Sequence, residues 1–257
     1  RLFKYPSDLE EKLGSEKHPD VFMFANYYWN TNLGSAFAKE IKKINPKILV
    51  VSGGPNISKE PDRQKEFLEK NPFIDFYILN EAEIAVTDLL RRYISMNSCI
   101  KSLKESLVRQ SLTIHNGELL AGESIDRIGS KNSEYKLDDI PSPYLNGMLD
   151  QFFDNTLAPF VQTNRGCPFA CTFCHEGGEY YSTVSMRSVD CVAKELEYIA
   201  KKMVEKSPDI PRIEMADSNF AMFKQDLEVT ECFAQLQKKY GWPKLIRCTT
   251  GKNKPEQ

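Results

Sequence analysis

Apolar and polar positions alternate in two registers along this chain, and the alternation between those registers is its main structural signal. Val21-Phe22-Met23-Phe24-Ala25, Ile48-Leu49-Val50-Val51-Ser52 and Phe76-Tyr77-Ile78-Leu79 are short apolar runs of strand length. Between them, Ala36 to Ile44 and Pro61 to Lys70 carry helical periodicity, and Glu83 to Tyr93 follows as an amphipathic helix with Leu89 and Leu90 inward. Strands that alternate with helices predict βα units and a parallel, doubly wound α/β sheet. Ser111 to Ile114 and Glu118 to Ala121 flank Asn116-Gly117, a strong hairpin signal. A polar stretch then leads to Leu137-Asp138-Asp139-Ile140-Pro141-Ser142-Pro143-Tyr144, which reads as an extended connector.

The βα rhythm returns beyond the connector. Ala158 to Thr163 reads as a buried strand, and Ser188 N-caps a helix that runs through Val192, Leu196 and Ile199 to about Met203, with Glu195 and Glu197 on its polar side. Arg212 to Ala216 is the next strand, Asp226 to Tyr240 the next helix, and Lys244 to Cys248 the strand after it. Residues 1–110 are therefore expected as one α/β domain, 111–145 as hairpin and linker, and 146–257 as a second domain.

Composition narrows the class only modestly. Hydrophobic residues at 41% and charged residues at 27% are ordinary for a globular chain. A net charge of −2 gives no broad electrostatic case for nucleic acid or an anionic membrane. No apolar run reaches the roughly 20 residues of a membrane helix. Seven cysteines, an odd number, argue against a disulfide framework and for a reducing cytoplasm.

Three of those cysteines carry the chemistry. Arg165-Gly166-Cys167-Pro168-Phe169-Ala170-Cys171-Thr172-Phe173-Cys174-His175 has the spacing C-x3-C-x2-C, with an aromatic before the last cysteine. Three clustered thiolates can hold three irons of a cubane cluster and leave the fourth open to substrate. Other readings exist. Cysteines at i, i+4 and i+7 also mark one helix face, although Gly166 and Pro168 break the chain there. Zinc would want a fourth ligand, and His175 adjoins Cys174 too closely for an unstrained tetrahedral site.

The motif resembles the cluster loop of the radical S-adenosylmethionine (SAM) superfamily, in which C-x3-C-x-aromatic-C follows the first strand of a partial (β/α) barrel. That resemblance implies a [4Fe-4S] cluster on Cys167, Cys171 and Cys174, with SAM chelated at the open iron and cleaved reductively to a 5′-deoxyadenosyl radical. It implies Phe173 against the adenine, with Asp217 and then Asn219, in the loop Asp217-Ser218-Asn219-Phe220, near the methionine amino group. A short Asp or Asn there could instead merely cap the next helix, although the resemblance favours a functional role. Thr249-Thr250-Gly251-Lys252 ends the third strand of this half and is a candidate substrate contact.

Asn26-Tyr27-Tyr28-Trp29-Asn30, the strand end Gly53-Gly54-Pro55 and Asn80-Glu81-Ala82-Glu83 together resemble the cobalamin-binding domain that precedes many radical SAM modules. Gly53 and Gly54 would there admit the nucleotide tail of the corrinoid, although a tight turn alone also explains them. An Asp-Ile-Pro-Ser-Pro phrase similarly joins the two domains in cobalamin-type relatives. No Asp-x-His-x-x-Gly stretch offers a lower axial imidazole. The family implies a small-molecule substrate and an external donor such as flavodoxin or ferredoxin. It also implies more βα units than are present, so the chain is expected to be an internal fragment of a barrel cut after its third strand. The expected activity is methyl transfer to, or radical rearrangement of, an unactivated carbon. The alternatives are an iron–sulfur redox protein without SAM chemistry, and a radical SAM enzyme whose first domain is a vestigial scaffold.

Overall fold

The computed structural model describes residues 2–15 and 18–251, which form two compact units divided between Ile125 and Asp126. The first unit opens with helix α1 (Pro6–Ser15) and then builds β1 (Val21–Ala25), α2 (Thr31–Ile44), β2 (Leu49–Gly53), α3 (Pro61–Lys70) and β3 (Phe76–Ile78). Helices α4 (Glu83–Ser95) and α5 (Ile100–Glu105) lead into the hairpin β4 (Ser111–His115) and β5 (Glu118–Ala121). The five strands lie in chain order in one sheet. The β1, β2 and β3 strands are parallel, with Val21 opposite Leu49 and Val51 opposite Phe76.

The sheet is mixed, which corrects the expectation of a parallel one. Tyr77 faces Leu112 across an antiparallel β3–β4 pair, and β5 closes the hairpin antiparallel to β4. Asn116 and Gly117 both adopt positive φ, 52° and 79°, as the tight turn of such a hairpin requires. The hairpin is therefore part of the first sheet, so the boundary expected at residue 110 falls after Ile125. The residues to 145 belong with the second unit for the same kind of reason, since they pack on it. Helices cover both faces, as the strands' continuous apolar runs demand. On one side Ala38 and Ile41 of α2 and Leu68 of α3 pack with Ile48, Val50 and Tyr77. On the other, Leu89 and Tyr93 of α4 and Leu103 of α5 pack with Leu49, Val51 and Phe76.

A buried carboxylate ties the first face together. Asp75 accepts from Lys42 Nζ at 2.6 Å and from the Val50 amide at 2.8 Å, joining α2 to the edge of β2. Burial alone would make this charge costly; the two donors offset that cost.

The second unit contains β6 (Phe160–Val161), the short antiparallel pair β7 (Asn164–Arg165) and β8 (Ser185–Met186), α6 (Val189–Lys206), β9 (Arg212–Met215), α7 (Lys224–Tyr240) and β10 (Leu245–Arg247). The β6, β9 and β10 strands form a parallel sheet in the order β10-β9-β6. Ser188 is the N-cap of α6, its hydroxyl accepting from the Cys191 amide. Val192, Leu196, Ile199 and Met203 recur at helical spacing on α6, Val229, Phe233 and Leu236 on α7, and both rows cover Ile213, Met215 and Val161. The α6 face differs from expectation at one place. Glu195 is buried rather than solvated, because Arg187 Nη1 at 2.5 Å and the Ser142 hydroxyl satisfy its carboxylate.

The strand expected over residues 158–163 is only two residues long, since the chain turns away after Val161. Its outer edge is sealed by a side chain. Tyr144, from the proline-containing connector, donates its hydroxyl proton to the Phe160 carbonyl at 3.1 Å and accepts from the Phe160 amide at 3.0 Å. One phenol thus does what a neighbouring strand would do for an exposed edge. Tyr144→Phe keeps the ring and removes both bonds. It is expected to destabilise the second unit by about 1–3 kcal/mol, read from the midpoint of a urea titration followed by fluorescence.

Candidate functional site

The candidate site of the second unit gathers at the carboxyl ends of its parallel strands, where ligands bind in α/β folds. After β6 the chain runs through Gln162 and Thr163 into β7, and then into the cysteine loop. Gly166 has φ 104°, and a Cβ there would lie 2.4 Å from the Thr183 carbonyl oxygen. Only glycine fits that turn. The Cys167 amide then donates to the Tyr181 carbonyl at 2.9 Å, and the Cys174 amide to the Cys171 carbonyl at 3.1 Å. Gly177 donates to the Cys174 carbonyl, and a Cβ on it would meet the Cys171 oxygen at 2.1 Å. The loop is thus folded back on its own backbone, with Cys171 and Cys174 in its outer turn.

All three thiols are free, Cys167 and Cys171 half-buried and Cys174 exposed. Their sulfurs are not drawn into a ligand cage. Among the described residues, no group of three or more His, Cys, Asp or Glu side chains is arranged to hold a metal ion. The donor set nevertheless suits an iron–sulfur cluster: three soft thiol ligands on one loop, fixed at its two ends and free in its turn. Metal binding commonly supplies the last ordering of such a loop.

The β9 loop reaches the cysteine loop through three consecutive side chains. Asp217, 1% exposed, accepts from the Thr163 amide at 2.7 Å, the Thr163 hydroxyl at 2.5 Å and the Asn164 amide at 3.1 Å. Ser218 donates its hydroxyl to Glu176, two residues past the last cysteine. Asn219, 6% exposed, donates from Nδ2 to Cys167 Sγ at 3.2 Å. One short segment therefore holds the cysteine loop before, at and after its cysteines. Asp217 clamps the turn after the first strand; all three of its acceptor contacts are to Thr163 and Asn164. Phe173 stands 87% exposed. The Phe220 amide bonds the Thr249 carbonyl at 2.9 Å, which carries β10 to the same end; Lys252 lies outside the described residues.

Several residues of this site gave no sequence signal. Arg127, buried, stacks 5.5 Å over Tyr180 and 5.4 Å over Tyr181, and donates to the Tyr180 carbonyl at 3.3 Å. It props the segment that receives the Cys167 amide. His175, weighed above only as a fourth zinc ligand, shares a 2.9 Å hydrogen bond with the Tyr181 hydroxyl. The Gly177-Gly178 pair is a turn signal in the sequence, but Arg127 lies 40 residues before Cys167 and only the fold brings it there.

In the first unit the equivalent strand ends carry a polar network. Asn26, buried, donates from Nδ2 to the Asn56 carbonyl at 3.0 Å and to the Tyr77 hydroxyl at 3.1 Å, and accepts from the Thr31 hydroxyl at 2.6 Å. The Tyr77 hydroxyl donates to the Gly54 carbonyl at 2.8 Å, and burial pushes its pKa up to about 12. Gly54 has φ 129°, and a Cβ would sit 2.6 Å from the Asn26 oxygen; at Gly53 it would sit 3.2 Å from the Ile78 oxygen. The fold itself therefore needs glycine at 54. Beside this network Tyr28 and Trp29 are 89% and 79% exposed, and the Trp29 ring stacks on Tyr27 with centroids 4.8 Å apart.

No family model matches the chain. It is 30% identical over 241 residues to the cobalamin-dependent radical SAM methyltransferase TokK of Streptomyces tokunonensis, covering 91% of this chain and 32% of that protein. It is 28% identical over 251 residues to the 2-(S-pantetheinyl)-carbapenam-3-carboxylate methyltransferase of Streptantibioticus cattleyicolor, covering 95% and 34%. The chain spans about a third of the length of these curated relatives. Among solved structures, the cobalamin-dependent SAM radical enzyme OxsB matches with TM-score 0.59 and 22% identity over 89% of this chain and 30% of that one. The radical SAM methyltransferase TsrM from Kitasatospora setae matches with TM-score 0.57 and 14% identity over 91% and 42%. The structural likenesses establish the shared α/β fold. By sequence the chain is a homologue of TokK, a cobalamin-dependent radical SAM methyltransferase, which is the subgroup that its motifs resemble.

The Asp217 clamp has a pH signature. Its burial raises the carboxyl pKa above the ordinary 3.8, and the bonds from Thr163 and Asn164 oppose that rise. A raised folded-state pKa contributes stability that is present below 3.8 and is lost as pH climbs through the raised value. The unfolding free energy of wild type minus that of Asp217→Asn is therefore expected to fall with rising pH in the window just above 3.8 and then level off. Urea titrations of both proteins at stepped pH read this difference, and an upward slope in that window contradicts it.

Proposed function

We propose that this chain is the corrinoid- and cluster-binding part of a radical SAM methyltransferase that acts on a small molecule. The observation that carries the reading is the loop of three free cysteines at the carboxyl end of β6, pinned at its base by Asp217 and closed on itself at Gly177. Cys167, Cys171 and Cys174 would hold the [4Fe-4S] cluster, and β6, β9 and β10 are read as the first three strands of a (β/α) barrel. When bound, the reduced cluster supplies the electron for SAM cleavage to a 5′-deoxyadenosyl radical, and cobalamin supplies a transferable methyl group.

The chain's own residues do the positioning. Asp217 fixes where the chain leaves the sheet, Gly166 turns it, and Arg127 with Tyr181 holds the returning segment. Exposed Phe173 is free to cover an adenine face. At the first unit's edge, the Tyr27–Trp29 pair offers a flat apolar surface to a corrinoid. The Asn26–Tyr77 network holds the Gly53-Gly54 turn beneath it. A low-potential donor such as flavodoxin or ferredoxin and the reducing cytoplasm belong to the same proposal. Among the described residues no helix is long and apolar enough to cross a membrane.

A second reading keeps the radical chemistry and treats the first unit as scaffold. It is favoured by Gly54, whose glycine the fold requires without any ligand. Corrinoid retention separates the two. After anaerobic loading of the full-length protein with hydroxocobalamin and gel filtration, cobalamin is expected to stay bound. Trp29→Ala is expected to cost about 1.4 kcal/mol, about tenfold in Kd. A protein that retains no corrinoid supports the scaffold reading.

The central test is anaerobic reconstitution with iron and sulfide, followed by reduction in the presence of SAM. Four irons per chain and release of 5′-deoxyadenosine or S-adenosylhomocysteine are expected; bound zinc, or a cluster inert towards SAM, refutes the assignment. Gly177→Ala should lower cluster affinity about tenfold or more while leaving the far-ultraviolet circular dichroism unchanged.

A further inference from the structure

Asn219 stands out among the buried polar groups because its amide meets sulfur. Its side chain is 6% exposed, and its Nδ2 donates to Cys167 Sγ at 3.2 Å. The contact is held from both sides. Asp217, two residues earlier, is fixed to Thr163 and Asn164, and Phe220, one residue later, bonds the Thr249 carbonyl. The backbone that carries the amide is therefore fixed on both sides of Asn219. Cys171 and Cys174 receive no comparable side-chain donor among the described residues.

We propose that Asn219 is a positioning residue that sets the electron affinity of the cluster through Cys167. The inference rests on the reading of Cys167 as a cluster ligand. An N–H donor pointed at a ligating sulfur draws negative charge from it. Reduction of a [4Fe-4S] cluster adds one electron, and that charge spreads onto the sulfurs. The hydrogen bond is then stronger in the reduced state, so it raises the reduction potential. Asn219 suits this role better than a charged residue: it donates without adding a fixed charge beside Cys167. A low-potential donor of the flavodoxin or ferredoxin class supplies the electron, and no bond is made or broken at Asn219.

The test is a redox titration of anaerobically reconstituted full-length protein, followed by the electron paramagnetic resonance signal of the reduced cluster. Asn219→Leu removes the donor, and the isosteric Asn219→Asp replaces it with an acceptor whose negative charge pushes the potential the same way. Each is expected to lower the one-electron reduction equilibrium by about tenfold, a shift of about 59 mV towards negative potential. Asn219→Gln, which keeps an amide donor, is expected to recover at least half of the shift. Unchanged potentials in cluster-loaded Leu and Asp variants overturn the inference. Folded variants that assemble no cluster while wild type does also overturn it, since Asn219 would then serve assembly and not potential. Wild-type protein that takes up zinc, or no cluster at all, defeats the reading of the cysteine loop itself, and the inference falls with it.

Discussion

The contact on which the second unit's chemistry depends is the one between the Asp217 carboxylate and the Thr163-Asn164 turn. The β6 strand is only two residues long, so its own ladder cannot aim the chain that follows. The carboxylate performs that task from the neighbouring strand. It takes two backbone amides and one hydroxyl, and with them it fixes the direction in which Gly166 and Cys167 depart. Three donors to one buried carboxylate make the arrangement rigid, and removing the Thr163 hydroxyl would leave Oδ2 without its donor in a site sealed from water. Whatever binds at the cysteines is thereby held in register with β9.

This view changes the meaning of the segment Asp217-Ser218-Asn219. Read as sequence, it offered polar groups for a ligand at the end of a barrel strand. In the fold each residue is engaged with the protein: Asp217 with the turn, Ser218 with Glu176, Asn219 with Cys167. The segment works as a frame around the cysteine loop. Asn219 alone sits next to an atom that the proposed chemistry would use, and it does so through a sulfur.

Most of the architecture could be read from the chain because it rests on local periodicity. The three parallel strands of each unit, the α3 and α7 helices and the Asn116-Gly117 hairpin all follow from patterns within a window of a dozen residues. What escaped notice depends on partners far apart in sequence. The hairpin looked like part of a linker because nothing in Ser111–His115 says that β3 has a free edge to pair with. Glu195 looked solvated on its helix, since Arg187 and Ser142 become its partners only when the connector folds over α6. The cysteine motif was plain, whereas Arg127, 40 residues upstream, was invisible until folding set it against Tyr180 and Tyr181. Short α5 has too few turns to show a period.

The two units solve a similar problem by opposite means. Each must present an ordered loop at the carboxyl ends of parallel strands without burying unpaired backbone. The first unit does so with neutral groups: Asn26, Asn56, Thr31 and Tyr77 exchange hydrogen bonds around Gly54, and burial keeps the tyrosine protonated far above neutral pH. An uncharged, slightly recessed network beside exposed aromatic rings suits a large, flat, mostly apolar ligand that binds by area. The second unit uses a buried acid and a buried guanidinium on either side of its loop, Asp217 before the cysteines and Arg127 behind them. Fixed charges of opposite sign hold backbone in place more firmly than neutral bonds do, and firmness is what a redox site needs. A loop whose sulfurs moved with each change of charge would spend its driving force on reorganisation. The difference in chemistry between the two strand-end loops thus follows the difference in what each is proposed to hold.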